Sequence, residues 1–113
     1  MSLAPLLDVL ATDPAVAGAL TVARSGEPSA DLSVAAGARP ELIAAMARES
    51  GRPLLVVTAT TREAEDLVDA LGCFLEPARV ADFPAWETLP HERLSPRSDT
   101  VGKRLAVLRR LLM

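Results

Sequence analysis

The sequence predicts an α/β domain: a small parallel sheet with flanking helices, present here as an incomplete set. Three observations lead there. Short apolar runs alternate with segments of helical period, the order expected of strands joined by right-handed helical crossovers. One run, Pro53-Leu54-Leu55-Val56-Val57-Thr58, is apolar without interruption, as in a strand buried on both faces. The 113 residues suit one domain, and half of them are hydrophobic, enough to build a packed core from Ala, Leu and Val.

Taken in order, Ser2 is placed to cap a short helix carrying Leu3, Leu6, Leu7 and Leu10. Asp13-Pro14 ends that helix or starts another turn. Residues 14–23 are small and apolar, compatible with helix or extended chain. Residues 24–31, RSGEPSAD, read as a loop because Gly, Pro, Ser and Asp cluster there. Leu32-Ser33-Val34-Ala35 is the first strand and Ala36-Gly37-Ala38-Arg39 the turn after it. Pro40 opens a helix, since it lacks the N–H that would be unpaired at that position. Leu42, Ile43, Met46 and Ala47 give this helix its inner stripe, and Gly51 supplies a left-handed cap.

After the strand at residues 53–58, Thr60 and Glu63 form a capping box. Ala64, Leu67, Val68 and Leu71 mark the inner stripe of the next helix, Glu65, Asp66 and Asp69 its wet face, and Gly72 its end. Arg79-Val80-Ala81-Asp82-Phe83 is the third strand. Pro84, Pro90 and Pro96 make the stretch FPAWETLPHERLSP irregular. Ser98 caps a last helix with Val101, Leu105, Leu108 and Leu112 on one face. Three strands make a small sheet, and the last helix stops on Leu111-Leu112-Met113 without a cap. Both point to a piece of something larger, with a terminus folded back on the core as the alternative.

Charge and composition exclude several classes. The net charge of −3 argues against a nucleic-acid surface over the whole molecule. Lys103, Arg104, Arg109 and Arg110 oppose only Asp99 near the end. A solvated helix face complementing its own dipole is the ordinary reading of that cluster, and a phosphate contact the other. Cys73, the single cysteine, forms no internal disulfide and reads as a small buried hydrophobe. No basic leader precedes the first apolar residues, and no apolar run approaches the ~20 residues of a membrane span. A cytoplasmic protein with no membrane contact is the expectation.

A working phosphate loop, G-x-x-x-x-G-K-[ST], wraps phosphates with backbone N–H groups, reaches them with Lys and holds Mg²⁺ with a hydroxyl. The corresponding stretch here is Ala35 to Leu42. It has one glycine, Gly37, followed by Ala38 and Arg39, with no Lys and no Ser or Thr at the key place. Pro40 removes a further donor. The loop is degenerate, and no cofactor or catalytic residue is assigned to it; residual anion binding by Arg39 at the helix start stays open. Glu87, His91, Glu92 and Arg93 read as a loop pinned by surface ion pairs rather than an acid/base cluster. His91 has no partners at metal-ligand spacing, so no metal site is expected. Trp86 either packs on the fold or anchors a partner.

The run LLVVTATTREAEDLVDAL at residues 54–71, followed by FPAWETLPHERLSPRSDTVGKRLAVLRRL at residues 83–111, closely resembles the start of the transcription-repair coupling factor (Mfd) family. Trp86-Glu87-Thr88-Leu89-Pro90, then Glu92 to Pro96, Asp99, Arg104 and Leu105, carry the resemblance. It covers roughly residues 32–113; residues 1–31, an N-terminal helical and loop extension, match loosely.

The resemblance implies that 32–113 is an incomplete first domain (1a) like that of UvrB, related to helicase motors, with a degenerate phosphate loop. UvrB grips DNA with a tyrosine-rich hairpin near the position of residues 83–96. This chain has no Tyr, which leaves that role without its side chains. The family's whole proteins are ATP- and Mg-dependent DNA translocases that displace stalled RNA polymerase and recruit the repair adaptor UvrA. A segment like this one is then a non-catalytic scaffold, with Trp86, Glu87, His91 and Arg93 as candidate contacts to neighbouring domains or partners. The competing readings are a free-standing P-loop-like nucleotide-binding protein and a small DNA-binding protein using Lys103, Arg104, Arg109 and Arg110.

Overall fold

Among the described residues of the computed structural model five helices follow one another: α1 (Pro5–Leu10), α2 (Pro14–Ser25), α3 (Arg39–Ser50), α4 (Thr61–Leu71) and α5 (Ser98–Leu112), with 3₁₀ turns at Ala36–Ala38 and Pro77–Arg79. The structure describes residues 2–26, 29, 31–86 and 98–112.

The helix starts follow from the sequence. Ser2 acts two residues ahead of Ala4, the residue before α1, its hydroxyl accepting the Ala4 N–H at 3.1 Å. Asp13 caps α2, its carboxylate accepting from the N–H groups of Ala15 (2.8 Å) and Val16 (3.4 Å). Asp13-Pro14 therefore opens a helix rather than only closing one. That helix runs to Ser25 and closes on Gly26 at φ 76°, further than the loop expected from residue 24 allowed. Pro40 lies in the first turn of α3 and Gly51 closes that helix at φ 65°, a conformation that favours a residue without a Cβ. Thr60 accepts the Glu63 N–H at 3.1 Å, and the Glu63 carboxylate returns to the Ala59 N–H at 3.3 Å. This is the expected capping box, with its return bond one residue earlier than usual.

Helix α3 is central. It packs against α1, α2 and α4. Its Ala44 and Ala45 are fully buried, with Leu7, Leu20, Leu71 and Phe74 completing the core. Two adjacent buried alanines mean that α3 is covered on more than one side, which small side chains permit by letting the neighbouring helices approach. The expected stripe on α3 is only partly followed: Leu42 is buried, while Ile43 and Met46 flank the core. Helices on both sides of residue 31 share this core. The N-terminus is also tied to the end of α4, where the Leu3 N–H donates to the Cys73 carbonyl at 2.7 Å.

The parallel sheet is not formed, and the α/β expectation is corrected: the described residues fold as helices without a β-ladder. Leu32–Ala35 leads into the 3₁₀ turn. Residues 53–58 are irregular, with 53–57 exposed and Thr58 half-buried rather than buried on both faces. Leu54 and Val56 are about 40% exposed while Leu55 and Val57 exceed 80%, an alternation of period two on one solvated surface. Arg79 belongs to the second 3₁₀ turn, leaving residues 80–86 without a ladder. The physical reason is that a strand is completed only by a neighbour that takes up its backbone N–H and C=O groups, whereas a helix satisfies its own. Helices α1 to α4 find their burial on each other, leaving no sheet face for them to cover.

Two smaller expectations also change. Cys73 is exposed, because the turn after Leu71 directs Leu71 and Phe74 inward and Cys73 out. On α5 the expected stripe of Val101, Leu105, Leu108 and Leu112 is not buried: Val101 is half-buried, and the three leucines, together with Leu111, face solvent.

Candidate functional site

The turn before α3 is the stretch compared above with a phosphate loop; among the described residues no strand leads into it, as one would in a working loop, and its geometry follows from Ala35 to Pro40. Ala35 is extended at φ −57° and ψ 138°, and residues 36–38 wind into a 3₁₀ turn. The Ala38 N–H donates to the Ala35 carbonyl at 2.9 Å. The Arg39 N–H donates to the Ala36 carbonyl. Pro40 has no N–H. Three consecutive positions at the start of α3 thus present no free backbone donor to a ligand. Gly37 has open space around it, but its φ is not positive, so it does not make the left-handed bend that lets a chain wrap a phosphate. Mg-bound triphosphate does not fit this turn: no Lys and no suitably placed hydroxyl complete it.

Beside the turn lies an open hollow of about 540 Å³ lined by Asp31, Leu32, Ser33, Val34 and Arg39. Arg39 is the cation there and Asp31 the anion, so the hollow has no net excess of positive charge to draw a phosphate.

The best-defined contact near the sequence-predicted partner residues is made by Arg104. Its guanidinium lies 4.1 Å from the centroid of Phe83 and 4.1 Å from that of Trp86. One of its N–H groups also donates to the Pro84 carbonyl at 2.6 Å. The planar cation is held between two aromatic faces and pinned by a charge-assisted hydrogen bond, an arrangement open to Arg and not to Lys. This clasp joins α5 to residues 83–86. Trp86 remains 46% exposed, so the clasp covers part of its ring and leaves the rest available. Glu87, His91 and Arg93 lie outside the described residues.

Sequence reasoning assigned Arg104 to a basic tail and missed the clasp. The residues that close it are about twenty positions apart, and no local pattern announces such a pairing. A second charged cluster was also missed. Arg48 reaches Asp8 at 3.1 Å and Glu49 at 3.2 Å, and Glu49 pairs with Arg24 at 2.7 Å. Arg52 adds a hydrogen bond to the Ala23 carbonyl at 2.7 Å. These groups fasten α1, α2 and α3 together, with Arg52 serving the carbonyl end of α2. They are structural ties rather than a site. Among the described residues no three His, Cys, Asp or Glu side chains gather as metal ligands would, and no helix is long and apolar enough to cross a membrane.

No family model matches the chain, and no solved structure matches it. Two relatives do. The transcription-repair-coupling factors of Mycobacterium bovis (strain ATCC BAA-935 / AF2122/97) and Mycobacterium tuberculosis (strain CDC 1551 / Oshkosh) are each 47% identical to it over 111 residues, covering 88% of this chain. The chain spans 9% of the length of each relative. At that identity along most of its residues, the chain belongs with the transcription-repair coupling factors, of which it matches one segment.

Proposed function

We propose that this chain serves as a non-catalytic scaffold segment of a transcription-repair coupling factor. The observation that carries the reading is the 47% identity over 88% of the chain, and the committed backbone donors before α3 support the absence of catalysis. In this reading the whole protein is a cytoplasmic DNA translocase driven by ATP and Mg²⁺. It displaces stalled RNA polymerase and recruits UvrA for excision repair, and its motor lies outside these residues. The segment packs against neighbouring domains, with the exposed part of Trp86 among the contact candidates. Calorimetric titration of the chain with Mg-ATP tests the non-catalytic part. We expect no saturable heat for any Kd tighter than about 1 mM, and no turnover. Saturable binding that disappears in Arg39→Ala would overturn it.

A DNA-binding reading draws on one observation: Lys103, Arg109 and Arg110 are exposed on α5. It requires duplex binding that weakens steeply with salt and is lost when all three become Ala. Absence of binding at low salt removes it.

A further inference from the structure

We draw no further inference here: the strongest candidate, the exposed apolar face that Leu105, Leu108, Leu111 and Leu112 present on α5, carries nothing because the structure does not show what covers it.

Discussion

Replacing Leu55 by Ala separates the helical fold from a sheet at a single position. Leu55 is 86% exposed and Val57 83% exposed, so the structure gives their side chains little to lose. A surface truncation of this kind changes stability by within about 0.5 kcal/mol. The same truncation in a central strand buried on both faces costs about 2–5 kcal/mol. Leu7 provides the internal reference. It is 1% exposed and packs in the core with Leu20, Ala44 and Ala45. Leu7→Ala is expected to cost about 3 kcal/mol by lost transfer energy and the cavity left behind. Urea unfolding followed by far-ultraviolet circular dichroism reads both variants. With a slope of about 1–3 kcal/mol per molar urea, Leu7→Ala moves the midpoint down by roughly 1–3 M. Leu55→Ala moves it by less than about 0.5 M. Should Leu7→Ala prevent folding, Leu71→Val gives a milder buried reference at about 1 kcal/mol. A Leu55→Ala loss equal to that of the buried reference would refute the assignment of residues 53–58 to the surface.

Two further outcomes follow from individual contacts. Thr60→Ala removes the hydroxyl that accepts the Glu63 N–H and is expected to destabilise the chain by about 1 kcal/mol in the same titration, whereas Thr60→Ser keeps most of the cap. Arg104→Ala opens the clasp and is expected to shift Trp86 fluorescence towards that of a solvated indole, with about 1 kcal/mol of stability lost. Arg104→Lys keeps the charge but not the planar stacking, so its emission should resemble the Ala variant. Unchanged emission in both variants would mean that the guanidinium does not lie on the indole in solution.

Much of the helical structure was legible because its determinants are local. Asp13, Thr60 with Glu63, Pro40 and Gly51 each act within one turn of the helix end they define. The amphipathic stripe of α4 is likewise readable, since residues three and four apart share a face whatever lies opposite. The comparison of the Ala35–Leu42 stretch with a phosphate loop rested on a strand before it, and that strand is not formed. What the sequence does not announce is that the Ala38 and Arg39 N–H groups are consumed within their own turn.

The extended runs failed as strand predictors for a specific reason. Val56 and Val57 favour extended backbone, but neither specifies a partner for its N–H and C=O groups. The apolar run reads the same whether a sheet covers it or water does. Burial on α3 was misplaced in a similar way. Periodicity identifies a face for a helix with one neighbour, whereas α3 has three, and its tightest positions are the small residues Ala44 and Ala45.

By itself, then, the sequence determined the start of α3 at Pro40 and its end at Gly51, the capped start of α4, and the resemblance to the coupling factors, because each rests on residue identity at short range. Only the tertiary structure decided that helices rather than a sheet form the core, that Cys73 and the leucines of α5 face outward, and that Arg104 closes on Phe83 and Trp86. Those outcomes depend on which surfaces meet across the chain, and burial energy is assigned only when they do.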